Sequence, residues 1–139
     1  MLGLSPGSAT WKVGVEHPRK VEEHAVLLEL NEGRAVSTAG DYESFFLYKG
    51  KRYPHLFDAN TGYPPQNRVA SVTVIAKDAT LSNVLSEALF VLGPERGFEL
   101  IESMTEEGAG AIYIEERSDK EFILASSDGT QPYIREIRV

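Results

Sequence analysis

The chain has no cysteine and a single Trp in 139 residues. A disulfide scaffold is therefore excluded, and 42% apolar with 25% charged residues excludes a disordered or collagen-like chain as well. No uncharged stretch is long enough to span a bilayer, so no membrane span is expected. Residues 1–6 lack the basic and apolar regions of a secretory signal, so the chain as written is expected to be cytoplasmic. A preceding part with a signal would make it periplasmic or exported. Basic residues are scarce too: 14 Lys and Arg against 21 Asp and Glu leave a net charge of −7. Long-range attraction to a phosphate polyanion is absent, and nucleic acid is not an expected partner. At this length one domain is expected, able to hide about 70% of its unfolded surface.

Residues 1–10 hold Gly, Pro, Ser and Thr without a periodic apolar pattern and read as a loose segment ahead of one domain over 11–139. WKVGV alternates Trp11, Val13 and Val15, and Pro18 ends that strand. A second strand is predicted over 26–30, closed by a turn at 31–33. RAVSTAG follows, and then FFLYKGKRYPHLF, where Gly50 between aromatic runs marks a hairpin. VASVTVIA, residues 69–76, alternates Val and Ile with Ser and Thr and reads as a strand.

The period then changes from strand to helix. Leu81, Val84, Leu85, Ala88, Leu89 and Leu92 form a helical stripe facing a core, capped by Asp78 or Thr80. Gly93-Pro94 stops this helix and opens another to about Met104. AIYIEE and EFILASS read as strands joined by a polar turn at 118–120, and YIREIRV as a last strand. The class is α+β: a mostly antiparallel sheet with two consecutive helices packed on it.

Candidate functional residues concentrate between 37 and 65. Ser37, Thr38, Gly40, Asp41 and Tyr42 form a small-residue turn whose N–H groups and hydroxyls suit a polar or anionic ligand. His55, Asp58 and Thr61 place an imidazole, a carboxylate and a hydroxyl on one Gly/Pro-shaped loop, a set suited to acid/base work or ligand gripping. A structural role for His55 is as consistent with the pattern. His17 and His24 read as structural or exposed, and Trp11 as a core or interface anchor. Lys49, Lys51 and Arg52 read as a solvated turn, and Phe45, Phe46, Tyr48 and Tyr53 as alternating strand packing.

The segments AVSTAGDYESFF, KRYPHLFDANTGYP, VASVTVIAKDA and ALFVLGPERG, in this order, resemble the ApbE family, the FAD:protein FMN transferases once described as thiamine biosynthesis lipoproteins. WKVGVEHPR is similar to a strand of the same family, so the likeness runs from Trp11 to Ile114 or beyond. The resemblance implies an Mg²⁺-dependent enzyme that cleaves FAD, its substrate, at the pyrophosphate. It attaches FMN to a Thr or Ser of a target flavoprotein and releases AMP. On that likeness His55 assists the acceptor hydroxyl as a base. Asp58, Thr61 and Gly62 belong to the nucleotide-pocket loop, and Ser37, Gly40, Asp41 and Tyr42 line the same cleft.

Two departures from the family pattern stand out. Where the family places an Asp and, one helical turn later, a Thr or small residue as Mg²⁺ ligands, this chain has Asn83 and Glu87. A neutral oxygen and a carboxylate at i and i+4 leave a rearranged metal site or an ordinary polar helix shoulder. Family members are also substantially longer, with an N-terminal half that carries part of the cleft. The chain is therefore expected to be incomplete alone and to work as a homo-oligomer or with a second subunit supplying that half. The alternative function is a noncatalytic flavin-nucleotide-binding or protein-interaction module that lost the metal site.

Overall fold

The computed structural model describes residues 7, 9–31, 33–104, 108–118 and 121–139. Most of the expected N-terminal loose segment, and parts of the turns expected at 31–33 and 118–120, lie outside them. In chain order the elements are β1 (Trp11–Glu16), β2 (His24–Leu30), β3 (Ala35–Gly40), β4 (Phe45–Tyr48), β5 (Lys51–Pro54), β6 (Val69–Ala76), α1 (Ala79–Leu92), α2 (Pro94–Ser103), β7 (Gly110–Ser118), β8 (Glu121–Ser126) and β9 (Ile134–Ile137). All strand pairs are antiparallel, and the class is α+β.

Among the described residues the strands divide into separate sheets rather than one. The largest runs β3-β6-β7-β8, a smaller one runs β1-β2-β9, and β4-β5 stands as its own hairpin. The large sheet is the middle layer. Val72, Val74, Ala76, Ala111 and Tyr113 meet Leu85, Leu89 and Phe90 of α1 and Ile101 of α2 on one side. Ile75, Ile112 and Ile114 meet Val15, Val26, Leu28 and Leu30 of the small sheet on the other. Both faces of β6 are covered, so all its residues are buried, Ser71 and Thr73 included. Its Ser/Thr alternation therefore marks the face toward the small sheet, not a solvent face.

Local chemistry explains the helix boundaries. Asp78 Oδ1 accepts from the Leu81 N–H at 2.8 Å and caps α1. Gly93, with φ at +77°, ends α1, and Pro94 opens α2 at once. The Tyr113 hydroxyl, pointing up from β7, is shared between the Leu89 and Gly93 carbonyls at 3.1 and 3.2 Å and pins this corner.

The sequence expectations need correction at several points. Val84 is 57% exposed, not on the core stripe, because α1 buries Ser82, Leu85, Ser86, Leu89 and Phe90 instead. The buried face is turned toward the serines, which face β3. The aromatic residues of β4 do not pack into a core; all four of its residues are exposed, and Phe46 stacks only on Tyr53 across the hairpin. His17 is buried in a T-shaped contact with Phe122, in keeping with the structural role expected of it, while His24 is the first residue of β2, two residues ahead of the expected start. A 3-10 helix, Asp128–Tyr133, precedes β9 and takes up Tyr133, with which the last strand was expected to begin.

Candidate functional site

Ser37 on β3 and Asn83, Ser86 and Glu87 on α1 meet in one polar cluster. Helix positions 83, 86 and 87 share a face, and the antiparallel β3–β6 ladder sets β3 beneath α1. The Ser37 hydroxyl donates to Asn83 Oδ1 at 3.3 Å and receives the Ser86 hydroxyl at 3.2 Å. Asn83 Nδ2 donates to Glu87 Oε1 at 3.4 Å. The sequence reading missed Ser86, although two serines one turn apart between core leucines were a legible sign of a polar contact.

His55 lies beyond the end of β5. Its backbone N–H and ring Nδ1 both reach the Ser44 carbonyl, at 3.0 and 3.1 Å. A carbonyl only accepts, so this contact sets the proton on Nδ1 and leaves the Nε2 lone pair outward on an exposed imidazole. Leu56 packs against the helix-side core and anchors the loop. In that loop Asp58 does structural work: its carbonyl accepts from the Thr61 and Gly62 N–H groups at 3.2 and 2.8 Å, and its Oδ1 accepts from the Asn60 N–H at 2.9 Å. Gly62 takes φ of +71°, a conformation that glycine adopts without a steric penalty. The Thr61 hydroxyl receives the Tyr63 N–H at 3.3 Å, so Asp58 and Thr61 shape the turn with the groups a ligand would need.

Asp41 and Tyr42 face a different direction. Asp41 is held by both guanidinium nitrogens of Arg19 at 2.7 and 2.8 Å, with Arg52 Nε at 3.7 Å. Arg19 also donates to Glu116 on β7. Burial works against the Arg19 charge, but the hydrogen bonds with Asp41 and Glu116 outweigh it and hold its pKa above the ordinary value. Burial pushes the Tyr42 phenol up to about 12, so it stays protonated at neutral pH. A Cβ on Gly40 would sit 2.7 Å from Tyr42 Cε1, so glycine makes room for this ring. Arg19 and Glu116 had no signal in a linear pattern, being far apart in sequence. A cavity of about 840 Å³ opens beside this network, lined by His17, Arg19, His24, Tyr42, Phe45 and Arg52 among others.

The structure therefore joins Ser37, Asn83 and Glu87, joins His55, Asp58, Thr61 and Gly62 in one loop, and turns Asp41 into an ion-pair network. Among the described residues no hydrogen bond or ion pair links the imidazole to the Asn83 cluster. The donors around Asn83 are all hard oxygens with one carboxylate, a set that fits a Mg²⁺ ion keeping several waters. Among the described residues no group of three or more His, Cys, Asp or Glu side chains is placed to hold a metal.

The layered α+β scaffold belongs to a known class of fold. The ApbE family matches residues 1–113, and the chain belongs to that family. A Haemophilus influenzae protein named FAD:protein FMN transferase is 36% identical over 119 residues, covering 84% of this chain and 33% of that protein. The crystal structure of an ApbE protein from Thermotoga maritima superposes with a TM-score of 0.81 at 34% identity, over 96% of this chain and 41% of that one. The flavin transferase ApbE from Vibrio cholerae does so with a TM-score of 0.72 at 30% identity, over 94% and 40%. The chain thus spans about a third of the length of the curated relatives it matches.

Proposed function

We propose that the chain contributes to an FAD:protein FMN transferase, moving FMN from FAD to a Thr or Ser hydroxyl of a target flavoprotein. The acceptor oxygen attacks the phosphorus of the FMN half, the bond to the AMP oxygen breaks, and the hydroxyl proton passes to His55 Nε2 as AMP leaves. The observation that carries this reading is the Ser44 carbonyl on His55 Nδ1, which leaves Nε2 free to accept that proton. Ser37, Gly40, Asp41, Tyr42, Asp58, Thr61 and Gly62 shape the nucleotide cleft, several of them through backbone positioning. Asn83 and Glu87 would hold Mg²⁺, whose chemistry when bound is to neutralise charge developing on the phosphates. Because the chain spans a minor share of its relatives, the reading includes a further copy or a second subunit completing the site.

One observation favours a second reading, a noncatalytic flavin-nucleotide or protein-binding module. Position 83 is a neutral amide, and its oxygen already accepts the Ser37 hydroxyl. Titration with FAD, followed by flavin fluorescence with and without Mg²⁺, decides between them. Mg²⁺-dependent binding with AMP release supports transfer. Mg²⁺-independent binding without AMP supports the module, and no binding removes transfer and flavin-nucleotide binding and leaves a protein-binding module.

A further inference from the structure

A shallow groove crosses one end of the large sheet, where β3 and β7 finish and β6 begins. It consists of two cavities of about 270 and 150 Å³ that share Asp41, Asn67 and Val69 as a common wall. Arg68 and Arg117 line the larger cavity, and Lys51 and Arg52 the smaller. The carboxylates in it, Asp41 and Glu116, are both already gripped by Arg19. Counting Arg19, five cations meet two carboxylates here, on a chain whose net charge is −7.

The cations of the groove have donors to spare. Arg68 and Arg117 are exposed, and among the described residues their guanidinium groups make no hydrogen bond or ion pair. With Asp41 and Glu116 committed to Arg19, two donor forks line the larger cavity unused. Arg52 turns only Nε toward Asp41, at 3.7 Å, and lies over the Phe45 ring at 4.0 Å from its centroid, which leaves its terminal nitrogens available.

The walls are set before any ligand arrives. Lys51 Nζ donates to Gln66 Oε1 at 2.6 Å, and Gln66 Nε2 donates to the Pro64 carbonyl at 3.0 Å, so β5 is tied to the loop that follows His55. Asn67 Nδ2 donates to the Phe90 carbonyl at 2.9 Å, and its Oδ1 accepts the Val69 N–H at 3.2 Å. Little wall ordering is left to lose on binding.

Two pairs of cations separated along a groove match charges spaced along an extended chain better than one compact anion. A nucleic acid would carry its charge on past the groove and over an acidic surface that repels it. A short acidic peptide places its charge only where the cations are. We propose that this groove docks an acidic segment of the acceptor flavoprotein, close to the Thr or Ser that receives FMN. Arg52 stands three residues before His55 on one extended stretch, a span of about 10 Å. A peptide gripped at Arg52 therefore brings a hydroxyl a few residues along it to the imidazole. Assigning the acidic segment to the acceptor rests on the transfer reading; the charge of the groove does not.

Fluorescence anisotropy of a fluorescein-labelled decapeptide alternating Asp and Gly tests the proposal at low salt, with the same peptide carrying Asn for Asp as comparison. No FAD is present, so failure here and failure of flavin transfer are separate results. The Asp peptide should bind and the Asn peptide should not. Arg68→Gln and Arg117→Gln should each raise the Kd about 2- to 5-fold, and the double variant about 5- to 20-fold. Arg96→Gln, an equal change of charge on α2 outside the groove, should leave the Kd unchanged. Far-UV circular dichroism should match the parent chain throughout, since none of these guanidinium groups has a partner in the fold. Equal losses in Arg96→Gln would mean that only net charge is felt and would overturn the proposal. So would no binding at millimolar chain, equal binding of the Asn peptide, or tighter binding of an oligothymidylate of the same charge. Displacement of the peptide by micromolar pyrophosphate would also overturn it and assign the groove to phosphates.

Discussion

Arg19 grips Asp41 through both guanidinium nitrogens, Nη1 on Oδ1 at 2.7 Å and Nη2 on Oδ2 at 2.8 Å. The pair ties the loop after β1 to the end of β3, and the same guanidinium reaches Glu116 on β7. A residue read from sequence as a cleft lining is thus also a structural clamp. Arg19→Ala leaves Asp41 and Glu116, both partly buried, with less compensation. The expected loss is about 2 kcal/mol in urea unfolding, the scale of charge-assisted hydrogen bonds. A change within experimental error would show that water replaces the guanidinium at no cost.

His17 gives stability a pH dependence with a definite sign. Burial lowers its pKa below the ordinary 6.5, Lys20 and Arg19 lower it further, and Glu23 opposes them. The fold prefers the neutral ring, whose Nδ1 accepts the Arg19 N–H at 3.1 Å. Below pH 6.5 the unfolded chain takes up a proton that the folded chain refuses, so this contribution is lost as pH falls from 6.5 and levels off below the lowered folded pKa. His17→Asn, whose side-chain oxygen can accept the same N–H, should show a shallower loss of stability over that window. Equal slopes for the two proteins in urea melts would refute the assignment.

The elements were legible where one local rule dominates. β6 was read with its observed limits because β-branched residues dominate its alternation, and the α1–α2 break because Pro94 has no N–H to continue α1 and disfavours helix at Gly93. The orientation of α1 was not legible, because an apolar count gives serines no weight, while Ser86 is buried by its bond to Ser37. Arg19 and Glu116 could not be found in sequence, being joined only by the packing of three separate elements. The division of the strands into separate sheets depends equally on tertiary pairing.

Tyr113 and Gly97 are coupled across the helix corner. A Cβ at position 97 would lie 1.8 Å from the Tyr113 hydroxyl, so α2 approaches β7 only because residue 97 is glycine. Gly97→Ala should destabilise by about 1 to 3 kcal/mol through overpacking. Tyr113→Phe should lose about 1 kcal/mol with the hydrogen bond to the Leu89 and Gly93 carbonyls. The double variant should cost less than the sum, since removing the hydroxyl takes away the 1.8 Å contact and leaves only the milder one with Cζ at 2.9 Å. Additive losses in a double-mutant cycle would mean that the helix shifts instead.

Asn83→Asp provides the sharpest test of the cluster under α1. The new carboxylate would stand one helical turn from Glu87, and without a cation the like charges should cost about 0.2 to 0.5 kcal/mol. A hard divalent ion would turn that repulsion into binding, because two carboxylates and the Ser37 hydroxyl then converge on it. Thermal melts should therefore show Asn83→Asp less stable than the parent chain in chelator and more stabilised by added Mg²⁺. Glu87→Gln in either background should remove the Mg²⁺ response. If Mg²⁺ moves none of these melting temperatures, the cluster is a hydrogen-bonded clasp between β3 and α1, and the noncatalytic reading gains accordingly.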